Sequence, residues 1–303
     1  MRPGQSLSQL TSRLLTQLET HFSQNRPDLI LAHGDTTTSF ATAVSSFYHQ
    51  IPFYHVEAGL RTHRLNSPFP EEFNRQSIAP IAHHHFAPTE IEKENLLLDG
   101  ISPCAITVTG STLHEAVSEM QLKLKSRELP FDSQDSGRPI VVVTLHRRES
   151  SNVLETTLIG LKNSALLQRE ALFICPVHPN PNVQKAFQAH LSGVENVVLT
   201  TPLEYPQFIS LLLKARLVVT DSGGVQEEAA FLGKPVLLAR QETERLDGID
   251  SGLVQIMGLK PGDIINSISR HLSNPQGDCG SDFTKRAREK ASEVIAHEVK
   301  KVV

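Results

Sequence analysis

Apolar positions in this chain follow two alternating rhythms. Short unbroken apolar runs read as buried strands, and longer stretches with apolar residues every three or four positions read as helices. From Ser6 to Gln24, the leucines Leu7, Leu10, Leu14, Leu15 and Leu18 share one helical face. Asp28 to Gly34 then reads as a strand ending in glycine, Thr36 to Tyr48 as a helix, and Ile51 to Val56 as a second strand. Pro70-Glu71-Glu72 opens a helix, because proline suits a first turn and carboxylates favour its positive end. His83 to Ala87 and Ala105 to Thr109 predict two more strands, and Ser111 to Ser126 a helix.

The texture then changes. Arg127 to Arg138 is polar, carries Pro130, Asp132, Asp135 and Gly137, and reads as a linker. Beyond it the alternation restarts. Strands are expected at Pro139 to Thr144, Ala171 to Pro176, Asn196 to Leu199, Leu217 to Thr220 and Pro235 to Leu238. Helices are expected at Leu154 to Leu167, Pro181 to Leu191, Tyr205 to Lys214 and Gln226 to Leu232, with an amphipathic helix from Phe283 to Lys301 closing the chain. Such β-α-β alternation in two blocks predicts an α/β fold of two doubly wound parallel-sheet domains facing a cleft. The boundaries read as 1–126 for the first domain, 127–138 for the linker, 139–275 for the second domain and 276–303 for a C-terminal helical segment.

Composition narrows the partners. A chain of 303 residues is long enough to build two such domains. A net charge of −4 leaves no basic excess for nucleic acid or an anionic membrane. No window approaches the ~18 apolar residues of a membrane-spanning helix. Met1 is followed by Arg2-Pro3-Gly4-Gln5 and no apolar stretch, so no signal peptide is expected. Cys104, Cys175 and Cys279 are far apart, odd in number and without C-x-x-C spacing, which suits a reducing cytosol rather than disulfides or a zinc site. Cys175 lies in an apolar strand and reads as packing.

In parallel sheets, ligands bind at the carboxyl ends of the strands. Asp35, Glu57, His146, His178 and Asp221 all fall just after apolar strands. Thr220-Asp221-Ser222-Gly223-Gly224-Val225-Gln226-Glu227-Glu228 joins a strand to a helix. Glycines there let backbone N–H groups approach an anion, and the helix start adds partial positive charge, so the turn reads as a phosphate cradle. Glu228, about one turn further on, is placed to accept from ribose hydroxyls. The plainer reading is a Ser-capped loop. The chain holds neither a Walker loop nor a dinucleotide fingerprint.

In His33-Gly34-Asp35-Thr36-Thr37-Thr38, Asp35 is either an acid at a strand end or only a helix cap. Glu57 in His55-Val56-Glu57-Ala58-Gly59-Leu60-Arg61 is either a second acid or half of a surface ion pair with Arg61. Glu71 and Glu72 are a third acidic feature or serve only the helix dipole. His146-Arg147-Arg148 reads as a phosphate-binding group or a solvated charge run, and His178 sits in a turn-rich segment. His83-His84-His85 is not expected to bind one ion, because neighbours along a strand point to opposite faces.

Taken together, His33-Gly-Asp-Thr-Thr-Thr, His55-Val-Glu-Ala-Gly-Leu-Arg, Ser67-Pro-Phe-Pro-Glu-Glu, His146-Arg-Arg-Glu-Ser, Pro176-Val-His-Pro-Asn-Pro and the Thr220–Glu228 segment resemble the non-hydrolysing UDP-N-acetylglucosamine 2-epimerase family. The resemblance runs in order from about Pro3 to about Leu259. It implies a GT-B-like fold and conversion of UDP-GlcNAc to UDP-ManNAc by elimination and re-addition of UDP, with no nicotinamide or metal cofactor. By match, Asp35, Glu57 and Glu71 are catalytic carboxylates and His146 is a catalytic histidine near the diphosphate. Ser222, Gly223 and Gly224 hold phosphates, Glu228 the ribose, and Phe208 lines the uracil pocket. Arg147 and His178 match positions that also contact a second, activating UDP-GlcNAc in bacterial members. A homodimer is implied as well.

Family members begin with a strand and a Gly-Thr-Arg-Pro-Glu loop that nothing here matches. The resemblance therefore implies an N-terminally truncated chain with an incomplete first domain and impaired activity. Two other readings share the nucleotide site: a GT-B-type UDP-sugar glycosyltransferase, and an inactive UDP-sugar-binding remnant.

Overall fold

The computed structural model describes residues 5–124, 137–145, 151–240, 249, 252–273 and 290–302. The expected linker, His146, Arg147 and the start of the expected final helix lie outside the described residues. The chain forms two compact units: Met1–Glu115 with Ala287–Val303, and Ala116–Arg286.

The first unit opens with helix α1 (Leu7–Gln24), whose N-terminus carries a reciprocal Ser6–Gln9 capping box. Strand β1 (Ile30–His33), helix α2 (Thr37–Tyr48), strand β2 (Phe53–Val56), helix α3 (Glu71–Ile78), strand β3 (His84–Ala87), helix α4 (Glu90–Leu98) and strand β4 (Ile106–Val108) follow. All strands pair in parallel in the order β1-β2-β3-β4. Helix α5 (Thr112–Leu124) leads out of this unit. One face of the sheet buries Ile30 and Phe53 against Phe22, Ala43, Ile51 and Ile78.

The second unit contains β5 (Ile140–Thr144), α6 (Ser151–Leu167), β6 (Leu172–Pro176), α7 (Pro181–Leu191), β7 (Val197–Thr200) and α8 (Tyr205–Lys214). It continues with β8 (Ala215–Thr220), α9 (Gly223–Phe231), β9 (Val236–Leu238), β10 (Val254–Ile256) and α10 (Pro261–Ser273). Its six strands run parallel in the order β10-β9-β8-β5-β6-β7. Val141 and Val143 pack on one face and Ile140 and Val142 on the other, so both faces are buried, as a parallel sheet requires. The strand order reverses between β5 and β8, and crevices at such switch points are where doubly wound sheets bind ligands.

The final helix, α11 (Ala291–Val299), belongs to the first unit. Ile295 packs with Tyr54, Val56 and Phe86, and the Glu115 carboxylate accepts from the Ser292 amide at 2.9 Å. Three further elements were not read from the sequence pattern: α4, α10 and β10. Strand β10 is only three residues long, polar Gln255 interrupts its apolar pattern, and two of the three are exposed.

Candidate active site

In the first unit, His33 of β1 stands in register with Val56 of β2, so Asp35 and Glu57 emerge side by side at the carboxyl end of the sheet. Asp35 is not the helix cap. The Thr36 hydroxyl accepts from the Ser39 amide at the start of α2, which leaves the Asp35 carboxylate to other partners. Those partners come from α3. The Arg75 guanidinium donates through Nε at 2.8 Å to Asp35 Oδ2, and Nη2 lies 2.6 Å from the same oxygen. Asn74 Nδ2 donates to the Asp35 carbonyl at 2.7 Å.

Arg75 is itself anchored from behind. Its Nη1 lies 3.3 Å from Glu72 Oε2, and Glu72 is fully buried. The Glu72 carboxylate also accepts from the Thr62 amide at 3.1 Å, the His63 amide at 3.0 Å and Gln76 Nε2 at 2.9 Å. Burial by itself would raise the Glu72 carboxyl. The bonds from Gln76, Thr62 and His63 and the charge of Arg75 outweigh it and hold the group below the usual carboxylate range. Of the acidic pair read from sequence, Glu72 is therefore a buried brace rather than a surface partner of the helix dipole. Glu71, the first residue of α3, is half-buried.

Glu57 adopts φ 60, the left-handed region that a non-glycine residue enters only when its surroundings hold it there. His33 Nδ1 stands 3.6 Å from its Oε2. At Gly34, φ +73, an added Cβ would come within 3.5 Å of that same oxygen. Arg61 is not on the surface. Its side chain is 1% exposed and donates to Asp99 at 2.8 Å and to the Leu60 carbonyl at 2.7 Å. Gly59 is fixed by backbone contact, since a Cβ there would lie 2.2 Å from the Glu92 carbonyl oxygen. His55 is buried beneath the Asp35 turn, with Nε2 2.8 Å from the Gly34 carbonyl, so that nitrogen carries the proton.

The three consecutive histidines separate as strand geometry demands. His83 Nδ1 accepts from the Phe53 amide at 3.3 Å, His84 Nε2 meets Thr107 Oγ1 at 2.9 Å, and His85 is completely buried. Neither ring nitrogen of His85 has a hydrogen-bond partner.

In the second unit, the glycine-rich turn follows β8 at the switch point. Thr144 and Thr220, the last residues of β5 and β8, join through their hydroxyls at 2.7 Å. Thr220 Oγ1 also accepts from the Ser222 amide at 3.0 Å. Ser222 caps α9 by accepting from the Val225 amide at 3.5 Å. The helix begins at Gly223, three residues before the expected Gln226, because this cap outweighs the poor helix propensity of two glycines. First-turn amides have no intrahelical carbonyl, so the Gly223-Gly224 corner presents donors to an anion. Gly233, φ +72, ends the same helix.

Glu228 is 6% exposed. Burial pushes its carboxyl up to about 7, a hydrogen bond from Tyr205 opposes that rise, and the neighbouring charge of Glu227 adds to it. Phe208 of α8 is half-buried against the core, and His178 is exposed, with Nδ1 accepting from the Asn180 amide at 3.1 Å. Cys175 is buried, and its thiol is pushed up to about 12 by loss of solvent.

A buried acid held at about 7 weakens the fold. The folded group binds its proton more tightly than an unfolded glutamate, so its contribution to stability falls as pH rises from about 4.5 to 7. Glu228→Gln is expected to stabilise the second unit at pH 8 by about 1–3 kcal/mol in urea unfolding. A destabilised variant would show that burial of the charge is not costly. Such stored cost is common at ligand sites.

Sequence reading missed two residues that organise these sites. Arg75 had a signal, the i,i+3 spacing from Glu72, but that spacing alone describes a surface pair. Tyr205 had none, because its partner Glu228 lies on a different helix.

Two parallel-sheet units, one with clustered carboxylates at its strand ends and one with a glycine-rich turn at its switch point, define a GT-B-like α/β protein of the nucleotide-sugar type. The sequence model of the UDP-N-acetylglucosamine 2-epimerase family matches residues 2–299, and the chain belongs to that family. The UDP-N-acetylglucosamine 2-epimerase of Yersinia pestis is 41% identical over 285 residues, which are 90% of this chain and 75% of that protein. The crystal structure of the Neisseria meningitidis UDP-GlcNAc 2-epimerase bound to UDP-GlcNAc superposes with a TM-score of 0.94 at 37% identity, covering 99% of this chain and 84% of that one. The S. aureus MnaA-UDP co-structure gives 0.90 at 32% identity, covering 99% and 81%.

Proposed function

We propose that this chain interconverts UDP-GlcNAc and UDP-ManNAc. The observation that carries the reading is the pair Asp35 and Glu57 at adjacent strand ends, with Asp35 gripped by a buried arginine. The C2 proton of the sugar is a weak acid, so its removal needs a positioned carboxylate. In the forward step the C2–H bond breaks, its electrons form the C1=C2 bond, and the C1–O bond to UDP breaks. A 2-acetamidoglucal and UDP result. Re-addition delivers a proton to the opposite face of C2 while UDP returns to C1. Inversion therefore needs acid–base groups for two faces, and Asp35, Glu57 and Glu71 are assigned that work.

Ser222, Gly223 and Gly224 are assigned to the phosphates, Glu228 to the ribose and Phe208 to the uracil. His146 is assigned to the diphosphate, and Arg147 and His178 to a second, activating UDP-GlcNAc. The homodimer is likewise part of this reading. Two relatives support the ligand assignment: the Neisseria structure is described as bound to UDP-GlcNAc and the S. aureus one as a UDP co-structure. A glycosyltransferase of the same fold needs an acceptor pocket and one base to deprotonate the acceptor, whereas inversion at C2 needs acid–base groups on two faces, which the clustered carboxylates favour.

Incubation with UDP-GlcNAc in D2O tests the proposal. Deuterium at C2 of recovered UDP-GlcNAc and of newly formed UDP-ManNAc is the expected result. Transfer of the sugar only when an acceptor is added would sink it, and UDP binding without exchange would leave a binding protein.

A further inference from the structure

Glu57 follows the last residue of β2, and the ring of His33, the last residue of β1, stands beside it. His33 Nδ1 is 3.6 Å from Glu57 Oε2, and Nε2 is 3.1 Å from the hydroxyl of Thr112, the first residue of α5. The His33 carbonyl accepts from Ser39 Oγ at 2.9 Å, which fixes the strand end that carries the ring. Both ring nitrogens thus face polar partners, yet the His33 side chain is 57% exposed, against 20% for Glu57. A hydroxyl can donate or accept, so Thr112 suits Nε2 with or without a proton. A separation of 3.6 Å is longer than a hydrogen bond, and acid–base contacts commonly tighten to that length only when substrate is bound. The neighbouring carboxylate is served differently. Asp35 is gripped by Arg75, and a guanidinium does not release its protons in water. The other nearby ring, His55, is buried and turned to the Gly34 carbonyl.

Inversion at C2 needs more than two well-placed acids. Each turnover takes a proton from one face of C2 and delivers one to the other. The group that took the proton ends protonated, and the group that gave one ends ionised. Both must exchange protons with water before the same epimer can react again. Imidazole gives and takes protons near neutral pH, and an exposed ring can do so with dissolved buffer.

We propose that His33 relays protons between Glu57 and solvent, an inference that rests on the acid–base role of Glu57. His33 acts through that carboxylate and does not touch the sugar. The step balances without electron transfer. A protonated Glu57 gives its proton to Nδ1 of the neutral ring, which leaves a carboxylate and an imidazolium, and the imidazolium loses a proton to buffer. The reverse sequence reloads Glu57.

Buffer dependence of turnover tests the relay. In dilute buffer, His33→Ala is expected to slow epimerisation by about 30-fold, less than the loss of an acid–base group itself, which costs about 10²-fold or more. Added imidazole should restore most of the rate, because small buffers reach a partly exposed carboxyl, while sodium chloride at equal ionic strength should not. Wild-type turnover should not respond to imidazole. His33→Gln keeps a polar group towards Thr112 but carries no proton, so it should be slow and rescued in the same way. Deuterium wash-in gives a second readout. Reactions are started in D2O separately from each epimer, and from one of them the recovered starting sugar should lose most of its C2 deuterium in the variants. A proton that lingers on Glu57 is returned to the carbon it came from. Wild-type turnover in His33→Gln at every buffer concentration would overturn the proposal, since hydrogen bonding alone would then suffice. Slow variants that ignore imidazole and keep wild-type wash-in would also overturn it, because His33 would then only shape the site. If wild-type protein exchanges no C2 proton from either epimer, the acid–base reading of Glu57 fails and the relay falls with it.

Discussion

Replacing Asp35 by asparagine is expected to slow deuterium incorporation at C2 of UDP-GlcNAc by about 10³-fold, the usual worth of a positioned acid–base group. The two side chains have nearly the same shape, so what is lost is the charge and the proton-accepting oxygen. Arg75 remains braced by Glu72 at 3.3 Å, so the turn keeps its anchor from behind. The nucleotide groups lie on β8, α8 and α9 of the other unit, and UDP affinity should stay within about twofold of the parent. An exchange rate within tenfold of wild type would remove Asp35 from the chemistry. A parallel loss of UDP binding would point to misfolding instead. The comparison with Glu57→Gln is informative, since Glu57 stands at the adjacent strand end with its backbone in the left-handed region, φ 60.

Between about pH 6.5 and 4.5, the first unit is expected to lose roughly 5 kcal/mol of stability from two histidines. Burial holds His55 down to about 4 and His85 down to about 3, with the Gly34 carbonyl partly opposing the shift at His55. Both are neutral in the fold, whereas the unfolded chain takes up two protons below about 6.5. Their stabilisation is thus complete above 6.5 and is lost as pH falls towards the folded values. His85 is the larger contributor, because neither ring nitrogen has a partner and protonation would bury an unpaired charge.

Glu228 acts in the same window with the opposite sign, since the second unit loses stability as pH rises. The two units should therefore part company on acidification, the first unfolding before the second. Urea unfolding from pH 7.5 to 4.5, followed by amide exchange in each unit, measures this. His85→Phe should flatten the acid limb of the first unit by about half, and an unchanged limb would show that His85 is protonated or solvated in the fold.

The elements were largely legible because parallel strands buried on both faces leave unbroken apolar runs that mark themselves. The expected Pro139 to Thr144 differs by one residue from β5, and the expected Leu217 to Thr220 missed only the first two residues of β8. The candidate residues were legible for a related reason. Residues at strand ends are polar interruptions in apolar text, and Asp35, Glu57 and the Ser222 turn stand at such interruptions. Roles were less legible than positions. Asp35 read equally well as a helix cap until Thr36 was found capping α2 and Arg75 was found holding Asp35. The plainer reading of Glu57, a surface ion pair with Arg61, fails on burial, because Arg61 is buried and donates to Asp99.

The sequence by itself determined the α/β class, the places where strands end, the glycine-rich turn and the family resemblance. All of these depend on local composition and short spacing. Only the tertiary structure decided which polar groups work on one another: Arg75 on Asp35 across 40 positions, His55 on Gly34 across 21, and Tyr205 on Glu228 from one helix to another. The physical reason is that the strength of a charge or hydrogen bond is set by partners and burial, and sequence separation fixes neither.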